Sequence, residues 1–293
     1  MKIQELDQRS PEWLEFRKNK IGASDAPAIM GISPWCTPYQ LWERKLGLDE
    51  IIENSAMKRG NQLEPLVRER VFLETGINYH PRVVIHPNLP WMIASLDGLS
   101  DNQTSVIEIK CVGGADHALA FLKIVPDKYQ YQLWHQMEVC ETDSVLYCSY
   151  NASDGDLRMF PFYRDDKKIK EMIEKEKEFL ICLEEFNPPA LTDKDYETKN
   201  DSKWNEACDK WKKSKLLKDK YETEEKKLRL DLINLANSKN CIGAGVKVQK
   251  VIRRGSVDYS SIPALSLIDL DPFRKPASES WRITLDESKN NEN

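Results

Sequence analysis

Apolar and polar positions follow two different periods along this chain, and the change of period divides it into three zones. Over residues 1–162 the pattern is mixed. Short apolar runs with period-two alternation predict strands at about 82–86, 91–97, 105–112, 144–150 and 157–163. Between them lie helix signals. Ser10-Pro11-Glu12 joins a capping serine to a proline at the first helical position. Gly22-Ala23-Ser24-Asp25 precedes a second helix, with Ser24 read as its N-cap, and Pro38-Tyr39-Gln40-Leu41-Trp42 opens another. Arg59-Gly60-Asn61-Gln62-Leu63-Glu64-Pro65 leads into an amphipathic helix that presents Leu63, Leu66, Val67 and Val71 on one face and stops at Gly76. A further helix spans 129–139. This order predicts an α+β fold, a compact sheet with a central hairpin covered by helices.

Residues 163–239 change to helical periodicity and dense charge. Ile169, Ile173, Glu176, Leu180 and Leu183 form one stripe. Beyond the breaker Asn187-Pro188-Pro189, a long helix is expected from about 201 to 238. Its apolar phase slips at Lys212-Lys213-Ser214-Lys215, which argues against a regular coiled coil, and its charge reads first as a solvated face. Residues 240–293 return to short β-like runs. Alternation over 243–255 predicts a strand with Lys247 and Arg253 or Arg254 facing outward, and the polar tail 288–293 is expected to be disordered. No internal repeat is present. The expected domains are therefore 1–162, 163–239 and 240–293.

Composition narrows the class. The chain has 293 residues, 40% hydrophobic and 31% charged, which suits a soluble globular protein. No run approaches the roughly 20 apolar residues of a membrane span. The start, MKIQELDQRSPEW, has no apolar signal core. A cytoplasmic protein is the expectation. Seven cysteines at wide spacing, without a C-x-x-C, resemble neither a disulfide framework nor a zinc ribbon, so reduced, mostly buried thiols are expected. The net charge of −5 argues mildly against nonspecific polyanion binding, although a local basic channel is compatible with an acidic exterior.

The candidate chemistry lies in ASLDGLSDNQTSVIEIKCV, two apolar strands joined by a polar turn. Glu108 and Lys110 occupy positions i and i+2, so they share a face, and Asp97 stands at the end of the neighbouring strand. Two carboxylates and an amine that converge suit a hard divalent cation and an activated water. An isolated D…E-x-K is weak, since a charged surface hairpin gives the same pattern. Other residues raise it. Glu64 lies in R-G-N-Q-L-E-P, Ser95 stands two residues before Asp97, and Gln132 follows on a helix. Arg17 and Ser24 bracket an N-terminal helix entrance.

The order G-x-x-x-E, S-x-D-G, E-x-K and Y-x-x-Q, after R-S-P-E-W-L-E-F-R-K-N-K-I-G-A-S-D-A-P-A-I-M-G, resembles the YqaJ-type viral recombinase nucleases. These belong with lambda-type exonucleases in the PD-(D/E)XK superfamily, and the resemblance covers roughly residues 9–163. It implies a restriction-endonuclease-like core with a central mixed sheet flanked by helices. It implies that Asp97, Glu108 and the Ile109 carbonyl bind Mg²⁺, with Mn²⁺ able to substitute. Glu64 would bind or orient a second ion or its waters. Lys110 would position and help deprotonate the attacking water, and Gln132 would hydrogen-bond near it or the scissile phosphate. Arg17, Ser24 and Ser95 match positions that hold a terminal 5′-phosphate. One departure is the lack of a tyrosine four residues after Gln132, where Gln136 stands.

The implied activity is a 5′→3′ exonuclease on double-stranded DNA ends that leaves 3′ overhangs for recombination. A single-strand annealing protein is the implied partner, and a trimeric ring threaded by DNA the implied assembly. Two other readings stay open: an endonuclease of the same superfamily without end selection, and a catalytically idle DNA-binding or assembly module. Simpler roles also compete at single positions. Ser24 serves equally as a helix cap, Arg17 as a surface residue and Glu64 as a first-turn acid; His117 and His135 read as structural. Trp13, Trp35, Trp42 and Trp134 could stack on bases but are expected in the core. Lys247, Lys250, Arg253 and Arg254 are candidate DNA contacts.

Overall fold

The computed structural model describes residues 1–49, 55–258, 261–268, 270, 273–275 and 283–284. The chain divides into two units, Met1–Glu197 and Thr198–Asn293. The zone 163–239 is thereby shared between them, and the polar tail 288–293 lies outside the described residues.

The first unit is built on one seven-stranded mixed sheet. Its strands are β1 (Lys2–Gln4), β2 (Ile21–Gly22), β3 (Tyr79–Ile85), β4 (Met92–Ser100), β5 (Val106–Cys111), β6 (Ser144–Asn151) and β7 (Asp156–Tyr163). They run in the order β1-β3-β4-β5-β6-β7, with β2 beside β4. β5–β6 and β2–β4 are parallel; the other pairs are antiparallel. The hairpin read from the sequence is β4–β5, which pairs Gly98 with Ile107 and Leu99 with Val106. The parallel step to β6 is made through α5 (Gly114–Phe121) and α6 (Asp127–Cys140), as a crossover requires.

The two faces of β5 explain the packing. Ile107 and Ile109 point to one side and join Val67 and Val71 of α4 (Ser55–Thr75) in a small core with Tyr79 and Leu157. Val106 packs in the larger core on Leu133 and Met137 of α6 and on Ile169 and Met172 of α7 (Asp166–Glu184). The period-two rule therefore turns Glu108 and Lys110 toward α6 as well. Gly98 is required beside them. A Cβ there would stand 2.7 Å from Ile107 Cγ1 and 2.8 Å from Tyr79 Cβ. Any larger residue would overpack the hairpin, at a cost of typically ~1–3 kcal/mol.

Several local expectations are corrected. Ser24 does not cap the second helix; α2 (Ala26–Ile29) has Asp25 at its N-cap, and Ser24 is exposed. Helix α4 begins at Ser55 and runs through Pro65, so Glu64 is in its interior rather than in its first turn. Only Val67 and Val71 of its predicted stripe are buried, while Leu66 is 59% exposed. All seven cysteines are unpaired, but only Cys140 and Cys148 are buried and Cys241 is exposed. Trp42 and Trp134 are in the core as expected, whereas Trp35 is 60% exposed. Helix α1 (Pro11–Arg17) carries the Ser10 cap that the sequence suggests, and α3 (Pro38–Lys45) opens at Pro38 behind a Thr37–Gln40 capping box.

In the second unit, α8 (Ser202–Leu235) is a single 34-residue helix without a buried residue. A short hairpin follows, β8 (Cys241–Gly243) and β9 (Val246–Val248). Its turn is Ala244-Gly245, both at positive φ, the geometry a two-residue hairpin turn needs. The strand expected over 243–255 is thus corrected: the chain reverses at 244–245 and strand pairing ends at Val248. Lys250, Arg253 and Arg254 lie beyond it, exposed and without regular secondary structure. Among the described residues, no helix is long and apolar enough to cross a membrane.

Candidate active site

The site begins where the β4–β5 ladder ends. Past the Gly98–Ile107 pair, the Ile109 amide donates to Asp97 Oδ2 at 2.8 Å, so a side chain takes over from the neighbouring backbone. On the α6 face of β5, Lys110 Nζ donates to Glu108 Oε1 at 2.5 Å. Gln132 Nε2 donates to the same oxygen at 2.6 Å, and Gln132 Oε1 accepts from Lys110 Nζ at 3.0 Å. Gln136, one helical turn on, donates from Nε2 to Glu108 Oε2 at 2.6 Å. Gln132 and Gln136 of α6 thus hold Glu108, which is only 1% exposed. Gln136, which in the sequence stands only where the family has a tyrosine, shares the carboxylate with Gln132. The i, i+4 spacing carried that signal, because it places both on one helix face.

The charges are unevenly balanced. Burial opposes the Lys110 ammonium, but Glu108 and Asp97 outweigh it and hold its pKa above the ordinary lysine value. Asp97 is half-buried. Desolvation by the protein around its carboxyl, the Glu108 charge and Glu64 together push it well above the usual carboxylate range. Among the described residues no lysine or arginine forms an ion pair with Asp97. Two carboxylates that repel one another and share one lysine ammonium are the environment a divalent cation would relieve. The donor set is all oxygen, as a hard ion requires.

Glu64, whose charge also acts on Asp97, is held by two arginines. Its Oε1 accepts from Arg68 Nη1 at 2.9 Å and its Oε2 from Arg9 Nη2 at 3.1 Å. Arg68 Nη1 also donates to the Asp97 carbonyl at 2.6 Å, tying α4 to β4. Among the described residues no set of three or more His, Cys, Asp or Glu side chains is arranged to hold a metal. Arg68 was missed in the sequence, although its i+4 spacing from Glu64 on one helix was visible.

The three residues matched to a terminal phosphate are joined through Trp13. Arg17 Nη2 lies 3.4 Å from Ser24 Oγ, its guanidinium sits 4.6 Å over the Trp13 ring, and Trp13 Nε1 donates to Ser95 Oγ at 2.9 Å. The anchor of this group is Asp25, which the sequence marks only as the residue before the second helix. Its carboxylate pairs with Arg17 at 3.1 Å and with buried Lys45 at 2.6 Å, and accepts from the Gly22 amide at 2.9 Å. Burial alone would raise Asp25; Lys45 and Arg17 overcome it and hold the pKa at about 2.

His117 and His135 are structural, as expected. His117 bonds Ser149 and Asp156, while His135 bridges Glu176 of α7 and the Ile93 carbonyl. Lys247, Lys250, Arg253 and Arg254 belong to the second unit.

The chain is similar to several known proteins. The YqaJ-like viral recombinase domain family matches residues 12–143. The chain is 27% identical over 132 residues to the protein YqaJ of Bacillus subtilis (strain 168), a stretch covering 44% of this chain and 41% of that relative, so it spans well under half of the relative's length. Among solved structures it is similar to an alkaline exonuclease (LHK-Exo) from Laribacter hongkongensis. Identity is 30% and the TM-score 0.53, over 61% of this chain and 94% of that one. The same enzyme in complex with dAMP gives 29% identity and a TM-score of 0.52 over the same shares.

Proposed function

The chain belongs to the YqaJ-like viral recombinase family, and on that premise we propose that it is a divalent-metal-dependent exonuclease that degrades one strand of double-stranded DNA from its 5′ end. The observation that carries the reading is the Lys110–Glu108–Gln132 contact set on β5 and α6, with Asp97 on the adjoining strand. Asp97, Glu108 and the Ile109 carbonyl would hold Mg²⁺, or Mn²⁺ in its place. When bound, the ion supplies a lowered pKa to water and charge stabilisation at the phosphate. Two carboxylates suffice, because Mg²⁺ keeps several waters. Glu64 would orient such waters or a second ion, steadied by Arg68.

The chain's own groups divide the remaining work. Lys110 donates from its ammonium to the attacking water and stabilises the hydroxide that forms as the water's proton passes to solvent; its contact with Gln132 fixes the direction of the ammonium. Gln136 keeps Glu108 from turning away. Arg17, Ser24 and Ser95 bind the terminal 5′-phosphate. An arginine offers a planar, permanently charged donor set for such a group. Asp25 holds Arg17 in place while leaving most of its donors for the ligand. Capture of a mononucleotide-sized end is supported by the relative crystallised with dAMP. The 3′ overhang would pass to a single-strand annealing protein, and a ring of three copies around the duplex would keep an acidic chain on DNA by topology. Lys247, Lys250, Arg253 and Arg254 would add backbone contacts.

An endonuclease without end selection needs no phosphate group of this kind. With Mg²⁺ present, the protein is expected to digest a linear duplex and leave a covalently closed circle of the same sequence intact. Digestion of both at similar rates would establish the endonuclease reading instead.

A further inference from the structure

We propose that Trp35 and Tyr129 form a stacking site for a nucleobase of the strand being cut, an inference that rests on the nuclease reading. Trp35 lies in the loop between α2 and α3 and leaves 60% of its surface in water. Its placement is not loose. Its amide donates to the buried Ser33 hydroxyl at 3.2 Å, and the Thr37 capping box begins α3 two residues later. The indole is stacked on Tyr129, with ring centroids 6.0 Å apart and planes at 27°. Tyr129 is in the first turn of α6, one turn before Gln132, and its ring lies 5.0 Å from Lys110 Nζ. A continuous path therefore runs from an exposed indole through Tyr129 to the ammonium beside Glu108.

The chemistry of the patch selects a base rather than a phosphate. Lys128 Nζ sits 5.2 Å from the Trp35 ring and 5.3 Å from Tyr129, but it is already paired with Asp116 at 2.6 Å. That pair has no net charge to offer an anion. Asp127 adds a nearby carboxylate. What remains for a ligand is the exposed part of the indole, while exposed Ile32 and Ile124 line a groove with Asp116 and Lys128. A flat, apolar ring face beside a phosphodiester site matches an unpaired base, and stacking accepts any base because each has a π face. An enzyme that advances along a strand needs this tolerance.

The test uses the full chain with Lys110→Ala to prevent cutting, and a blunt 5′-phosphorylated duplex carrying 2-aminopurine in its first two nucleotides. Binding should quench the probe when Trp35 is present. W35F should retain the quench and bind within about threefold, whereas W35L should lose it and bind about tenfold more weakly. Equal quenching in W35L and W35F would overturn the stacking site, as would a changed oligomeric state in W35L with the quench intact, which would make the patch an interface between copies. If the Trp35-containing protein binds no duplex at all, the nuclease reading itself falls and the stacking site with it.

Discussion

Replacing Lys110 with alanine is expected to slow nucleotide release by about 10²–10³-fold, the range for removing one preorganised donor that stabilises developing charge. The side chain has no substitute. Among its neighbours, Gln132 donates to Glu108 and accepts from Lys110, so it orients the ammonium but carries no charge. The loss should fall on kcat, since Lys110 lies 2.5 Å from Glu108 and not among the residues around Arg17 that would bind the strand end. Folding should persist, because Lys110 is at the open edge of the α6 face and the cores on both sides of β5 are made by other residues. Steady-state hydrolysis, duplex affinity and a circular-dichroism melt read the three quantities separately. Undiminished hydrolysis in a folded K110A protein would remove the centre described here and favour an idle DNA-binding module.

Asp97→Asn is expected to separate stability from metal binding. The Asp97 carboxyl titrates well above the usual range because of desolvation, Glu108 and Glu64. A carboxyl raised on folding costs stability above its unfolded pKa and returns that stability as pH falls. Asparagine removes the cost, and its Oδ1 can still accept from the Ile109 amide that bonds Asp97 Oδ2 at 2.8 Å. In chelator at neutral pH, D97N should melt a few degrees higher than the wild-type protein, given roughly 2–4 °C per kcal/mol at this size. With Mg²⁺ the order should reverse in one respect. The wild type should gain stability with ion concentration through binding to the folded state alone, while D97N should gain little. Equal Mg²⁺ stabilisation of both proteins would place the cation elsewhere, and a lower melting point for D97N in chelator would refute the strain assigned to Asp97.

The legible parts of the fold are those set by local period. The alternation in 91–97 and 105–112 and the polar turn between them give the β4–β5 hairpin, and with it the shared face of Glu108 and Lys110. Helix α6 places Gln132 and Gln136 over Glu108 by simple i, i+4 geometry. Decisions made by distant residues were not legible. Ser24 and Asp25 are both good caps by residue type; Asp25 takes the N-cap position without a side-chain capping bond, its carboxylate being held by Lys45 on another helix and by Arg17. Arg-Gly-Asn-Gln before Pro65 reads as a loop leading to a helix start, yet α4 continues through it because Val67 and Val71 are anchored on β5 and Tyr79. The basic run after Val248 kept strand alternation in sequence but found no pairing partner once the Ala244-Gly245 turn had used the first strand. Trp35 reads as core by residue type alone; only its neighbours show that it faces water.

The central claim is that a metal-dependent centre at Asp97, Glu108 and Lys110 removes nucleotides from a phosphorylated 5′ end held by Arg17, Ser24 and Ser95. It is tested most directly on a blunt duplex labelled at either end, with and without a 5′-phosphate, in Mg²⁺ and in chelator. The account predicts that the 5′ label is released first as a mononucleotide, while the 3′ label stays on a shortening strand. Release should be fastest with the phosphate present and absent in chelator. Prior loss of the 3′ label, or release that ignores both the phosphate and the metal, would contradict it.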